Sequence, residues 1–213
     1  LTFFTFLLAL IITEPKSEKN HLLQILSFWE QGIWHSPLLV FAIQMMLMLV
    51  LGHTLALSKP INIIISKGVK RCNNTENAAA IITFSTILVS LFNWGLGLIF
   101  GAIFARKVGE HASKKNIKLN YPLIGAAGYS GLMVWHGGIS GSAPIKIAEK
   151  GHFLEKKIGV ISQSETIFST MNMSISIILL IVLPLLMYYL GKKKSENTIS
   201  IPLKEEEIKK RTR

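Results

Sequence analysis

Residues 119–145 carry no charged side chain, and the run is long enough to cross a bilayer. Inside it lies Trp135-His136-Gly137-Gly138-Ile139-Ser140-Gly141-Ser142-Ala143-Pro144. Four of these ten residues are glycine or proline, and two more are serine. Glycine loses backbone entropy in a helix and proline removes a donor, so a helix made of them is weak. In hydrocarbon, backbone that leaves the helix must be buried in protein or line a polar cavity. The sequence therefore breaks a helix where breaking is most costly, and a solute site is the expectation.

Composition supports the membrane setting. Only 16% of the 213 residues are charged, against about 25% in soluble domains, and the mean hydropathy is +0.44. The net charge of +11 would suggest nucleic acid in a soluble chain. Here the cations lie between apolar runs and in the tail, where membrane topology and anionic headgroups account for them, so no nucleic-acid partner is expected. One cysteine, Cys72, rules out an intrachain disulfide and a cysteine metal cluster. No cofactor is expected. Asn73-Asn74-Thr75 and Asn172-Met173-Ser174 match the glycosylation triplet, which is common by chance.

Residues 1–13 read as the end of a first transmembrane helix, and the start at Leu1 suggests a fragment. Residues 21–34 repeat apolar side chains at helical spacing. They fit either an interfacial helix or a loop helix packed on the protein. Residues 36–58 form a transmembrane helix with Gln44 and His53 as polar exceptions, and 61–69 a short amphipathic helix. Residues 77–105 are again uncharged, with Phe92-Asn93-Trp94-Gly95-Leu96-Gly97 at the centre. One straight helix of that length would measure about 44 Å, against a hydrocarbon core of about 30 Å. Either it tilts, or it is a re-entrant hairpin with Asn93-Trp94-Gly95 at the tip. A hairpin divides lysine and arginine 17 against 6 across the membrane, and a single crossing 15 against 8. The positive-inside rule thus favours the hairpin. Residues 166–191 form a strongly apolar helix stopped by Lys192-Lys193-Lys194. Residues 1–194 are the membrane domain, and 195–213 a polar, charged tail or linker.

The two broken stretches carry the chemistry. Neither contains an acidic residue, which suits an entering carboxylate. Half-helix N-termini offer N–H groups and partial positive charge, and loose carbonyls can hold a coupling cation. Asn93, Trp94, Ser140 and Ser142 supply side-chain donors, while Gly95, Gly138 and Gly141 let a solute reach the backbone. His136 stands four residues before Ser140, on the same face if the helix persists, and an imidazole can change charge near neutral pH. Helix packing through small residues is the competing reading of the glycines. Gly138-Ile139-Ser140-Gly141 also fits the pattern around the nucleophile of rhomboid-type intramembrane proteases. A serine nucleophile needs a base, and the only later histidine, His152, lies in a loop.

Phe92-Asn93-Trp94-Gly95-Leu96-Gly97-Leu98, Tyr121-Pro122-Leu123, Tyr129-Ser130-Gly131, residues 135–142, Gly151-His152-Phe153-Leu154-Glu155 and Ser164-Glu165-Thr166-Ile167-Phe168-Ser169 together resemble the bacterial short-chain fatty acid transporters of the AtoE type. Phe28-Trp29-Glu30, Gln44-Met45-Met46 and Gly52-His53 are similar too. The resemblance covers nearly all of 1–190 and implies a multi-pass protein of the bacterial inner membrane that imports acids of the acetoacetate or butyrate class. Family chains are about twice as long, so only the N-terminal half is matched and a C-terminal half becomes an expected partner. The expectation is an all-α polytopic membrane protein with a re-entrant hairpin at 77–105 and a broken helix at 119–145, ion-transporter-like. It would be a secondary transporter, not an enzyme. Its substrate site comprises Asn93, Trp94, Gly95, His136, Gly138, Ser140, Gly141 and Ser142. Symport with H+ or Na+ is left open. The alternatives are a carrier for another organic anion and, behind it, the protease using Ser140.

Overall fold

The computed structural model describes residues 1–14 and 20–193; the segment 195–213, expected to be a tail, lies outside the described residues. The described residues are all helix, turn and loop, as expected of an all-α membrane protein. They divide into two compact units, the second beginning at Met48. Three helical stretches are long and apolar enough to cross a membrane: Leu38–Ala56, Thr75–Phe92 and Thr170–Lys192.

In the first unit, α1 (Thr2–Ile12) and α2 (His21–Ile33) pack together. Asn20 caps α2 by accepting the Leu22 N–H at 3.1 Å. The rings of Phe6 and Trp29 meet at 5.9 Å. α2 buries none of its side chains, and Leu22, Leu26, Trp29 and Ile33 stay exposed. α3 (Ser36–Ala56) starts in this unit, and its C-terminal part belongs to the second.

That C-terminal part lies against a helix start. A Cβ on Gly52 would sit 2.8 Å from the backbone nitrogen of Leu96. α4 (Lys59–Val69) is amphipathic, as its spacing predicts. It buries Ile65 and Val69 and exposes Ile63 and Ile64. Cys72 follows, fully buried, donating to the Gly68 carbonyl at 3.3 Å. Burial pushes its thiol up to about 12.

α5 (Thr75–Phe92) and α6 (Trp94–Lys115) follow, joined by Asn93 alone. Ser90 faces Gly97 and Thr86 faces Gly101, so the two helices run antiparallel. The tilted single helix is thereby excluded, because the chain reverses at Asn93. The limbs outrun 77–105 at both ends. α5 starts two residues earlier, where Asn74 caps it by accepting the Asn77 N–H at 3.0 Å. α6 continues past Arg106 to Asn116, which closes it at φ 54°. Charge ends an apolar run but not a helix, and α6 keeps its ladder outside the apolar zone.

α7 (Tyr121–Tyr129) starts level with α5, since the Asn120 N–H donates to Thr75 Oγ1 at 3.1 Å. It runs parallel to α5 and crosses α6 where Gly128 meets Gly101. The core fills the space between these helices with Ile82, Phe100, Phe104, Val108 and Ile124. After α7 come 3-10 turns at Ser130–Met133 and Trp135–Gly137, then α8 (Ser142–Ala148) and α9 (Glu155–Ile158). α10 (Thr170–Lys192) starts beside Gly137 and ends with Gly191 against the backbone of Glu76, so it runs antiparallel to α5. Its start falls four residues after the expected Thr166, because a 3-10 turn at Gln163–Glu165 and the Ser169 cap come first.

Candidate functional site at the hairpin tip and the helix break

Asn93 serves two helices at once. Its N–H completes α5 by donating to the Val89 carbonyl at 2.8 Å, and its carbonyl accepts the Gly97 N–H at 2.8 Å. Its side-chain Oδ1 accepts the Leu96 N–H at 2.8 Å, which caps α6. The Trp94 N–H instead crosses to the helix break and donates to Ser140 Oγ at 2.9 Å. One residue earlier, Ile139 N–H donates to the Leu91 carbonyl at 2.8 Å. The two glycine-broken stretches, 46 residues apart in sequence, are thus joined by two hydrogen bonds.

The break is longer than its glycines suggest. Regular helix ends at Tyr129, one 3-10 turn before the expected interruption at Trp135, where a second 3-10 turn begins. Gly138 is extended, at φ −84° and ψ 168°. The helix therefore does not persist from His136 to Ser140, and the i,i+4 relation expected for them is absent. His136 is exposed and Ser140 is 7% exposed. Gly138 lies so close to Leu91 that a Cβ would meet the Leu91 carbonyl at 2.5 Å. Gly141 is equally confined, under the His136 carbonyl at 2.4 Å. Both glycines permit backbone contact, and here the contact is with the protein's own chain.

Aromatic rings roof the junction. Trp94 and Trp135 meet edge to face at 5.0 Å, and Trp135 meets His136 at 4.5 Å. The Trp94 indole nitrogen is buried and has no hydrogen-bond partner. Of the expected site residues, Asn93, Trp94, Gly95, Gly138, Ser140 and Gly141 gather at the junction. Gly95 is buried beneath the Met48 carbonyl, with 3.2 Å to a built Cβ. Ser142 opens α8, partly buried. The α6 N-terminus was expected to offer free donors, yet the N–H groups of Trp94, Leu96 and Gly97 are taken by Ser140 and Asn93.

Asn172 completes the site and was missed from sequence. Its Nδ2 donates to the carbonyls of Gly137 at 2.9 Å and Ile167 at 2.7 Å. It thereby pins the break to the first turn of α10. The sequence reading took it only as part of a glycosylation triplet. The usable signal was an amide inside an otherwise apolar segment, which in a membrane points inward.

Beside the junction lies an apolar cavity of about 320 Å³. Leu88, Leu91 and Phe92 of α5, the Gly137–Ile139 backbone and Ile177 of α10 line it. Among the described residues, no cluster of histidine, cysteine, aspartate or glutamate could hold a metal ion.

The sequence profile described as "Short chain fatty acid transporter" matches residues 1–212. A protein of Escherichia coli K12 named "Putative short-chain fatty acid transporter" is 33% identical over 196 residues. That match covers 92% of this chain and 42% of the relative. A Haemophilus influenzae protein of the same name is 32% identical over 203 residues, 92% of this chain and 43% of its own length. The chain spans less than half the length of the curated relatives it matches. No solved structure matches it.

Proposed function

Because the chain belongs to the short-chain fatty acid transporter family, we propose that it is part of a secondary carrier that moves acids of the acetoacetate or butyrate class across the bacterial inner membrane. Members of that family are transporters, not enzymes. The observation that carries the reading is the junction itself. Two helix breaks meet through the Trp94 N–H and Ser140 Oγ at 2.9 Å, and a buried indole N–H is left over beside them. A buried donor without a partner costs free energy unless a solute or water meets it.

The carboxylate is held by the Trp94 indole N–H, the Asn93 amide and the Ser140 hydroxyl proton, whose oxygen already accepts from Trp94. His136 and Ser142 stand at the edge, and Gly95, Gly138 and Gly141 keep the backbone close. The short alkyl tail lies in the neighbouring apolar cavity, where each methylene removed from water adds about 0.8 kcal/mol.

Ser140 as a protease nucleophile is disfavoured by its engagement with the Trp94 N–H and by the lost register to His136. Counterflow of labelled butyrate in proteoliposomes, with the remaining half of a family member supplied, tests the carrier. Exchange is expected for butyrate and acetoacetate. It should fall at least tenfold in Trp94→Phe and Asn93→Ala at equal folded yield. Undiminished exchange in both variants removes the site, and exchange of larger organic anions alone replaces the substrate class. A pH gradient that drives uptake in the native protein and fails in His136→Gln identifies proton symport.

A further inference from the structure

α4 turns two different faces to its surroundings. Ile65 and Val69 are buried, Ile65 completely. On the opposite side, at helical spacing, stand Ile63, Ile64 and Lys67. Ile63 and Ile64 are each 56% exposed, and Lys67 is exposed beside them. Leu57 and Lys59 precede this face, and Lys70 and Arg71 follow it, all exposed. An apolar strip with cations among it suits neither water nor hydrocarbon. Water leaves the isoleucines uncovered, and hydrocarbon would strip the cations of their hydration.

The fold sets the depth of that face, because α4 is clasped to α6 at two places. A Cβ on Gly68 would meet the Phe104 ring at 2.5 Å, and Asn62 Oδ1 accepts from Lys107 Nζ at 2.6 Å. Between Phe104 and Lys107 the uncharged part of α6 ends, at Arg106. α10 changes character at the same end. Met187 packs against the core cluster that holds Ile65 and Phe104. Tyr188 and Tyr189 come next, and Lys192 Nζ lies 4.8 Å above the Tyr188 ring. Tyrosine followed by lysine suits a helix passing from hydrocarbon into headgroups. α4 therefore lies at the boundary, where isoleucine enters the acyl region and a lysine stem lies along it while its ammonium reaches the phosphates. Charge decides the kind of headgroup. Residues 31–75 contain no acidic side chain, so nothing on this stretch of chain neutralises Lys59, Lys67, Lys70 and Arg71.

We propose that α4 is an interfacial helix whose outer face, with Ile63 and Ile64 among Lys59, Lys67 and Lys70, docks on anionic phospholipid. The docking does not depend on the carrier reading.

Two measurements on the purified chain in lipid nanodiscs test it, each made with and without the remaining half of a family member. A nitroxide on Ile63→Cys reads depth, since Cys72 is fully buried and escapes the reagent. The label should be more accessible to oxygen, which concentrates in the bilayer, than to a water-soluble nickel chelate. It should stay so when the second half is added. Greater access to the chelate overturns the docking. A label immobilised by the second half also overturns it and makes the face a protein interface. The second measurement is Tm in phosphatidylcholine with and without phosphatidylglycerol. Phosphatidylglycerol should raise Tm by about 5 °C, each surface cation contributing. Lys59→Gln, Lys67→Gln and Lys70→Gln together should remove at least half of that rise. Lys115→Gln with Lys118→Gln, at the same end but past the last contacts of α4, should keep most of it. An equal loss in both sets overturns the proposal, because net charge and not α4 then meets the lipid. No rise in the native chain overturns it as well.

Discussion

Asn172 shows how much one side chain can hold. Both of its amide protons are spent on carbonyls, one in the break and one before α10. Asn172→Ala leaves the Gly137 and Ile167 carbonyls without these donors in a dry setting. Each loss costs about 1–3 kcal/mol, so a destabilisation of about 2–6 kcal/mol is expected for the two together, read as a lowered Tm in nanodiscs. Asn172→Gln keeps the chemistry with a longer reach and should recover part of the loss. Tm equal to the native value in Asn172→Ala would mean that the amide holds nothing. At this scale the sequence was legible where a residue type is rare in its setting. Asn93 and Ser140 stand out in uncharged runs and do meet. The role Ser140 plays was not legible, because only the fold shows that its oxygen is an acceptor for a helix start.

At the scale of the element, helix contact is set by missing side chains. A Cβ on Gly101 would stand 2.0 Å from the Gly128 carbonyl oxygen, and that oxygen is backbone and cannot swing away. Gly101→Val should therefore separate α6 from α7, costing about 3 kcal/mol or more by overpacking. Gly125→Val, with nothing within 4 Å of its Cβ, is the control and should fold normally. Comparing the monodisperse fraction of the two variants on size exclusion checks the pair, and equal yields would refute the contact. The hairpin itself was readable from length and charge. A 29-residue uncharged run is too long for one straight crossing, and an asparagine between apolar halves is a natural turning point. The helix ends were less readable. Hydropathy records where a chain meets hydrocarbon, while α6 runs on through Arg106, Lys107 and Glu110 on its own backbone ladder, with an Arg106–Glu110 pair at 2.8 Å.

For the whole molecule, the second unit is polar at both ends and unequal in charge. Lys107, Lys114, Lys115, Lys118 and Lys192 gather at the end where α5 begins and α10 stops, and Lys107 is held to Asn62 at 2.6 Å. At the other end, Lys146, Lys150, Lys156 and Lys157 are offset by Glu149, Glu155 and Glu165. The positive-inside rule places the first end in the cytoplasm. Single cysteines at positions 117 and 153, probed with a membrane-impermeant maleimide in right-side-out cells, should label only at 153. Labelling at 117 alone would invert the topology. The strand-free, multi-helix character of the described residues was evident from the uncharged runs. Its internal arrangement was not, since parallel α5 and α7 with antiparallel α6 and α10 depend on contacts such as Gly128 with Gly101 that no periodicity encodes.

The one-residue joint between α5 and α6 has a mechanical consequence. The hydrogen-bond ladder enters Asn93 from Val89 and leaves it toward Gly97 without slack. Sliding one limb along the other would have to break the last hydrogen bond of α5 or the Asn93 cap of α6. The limbs are also tied at the Trp94–Ser140 contact at one end and the Lys107–Asn62 contact toward the other.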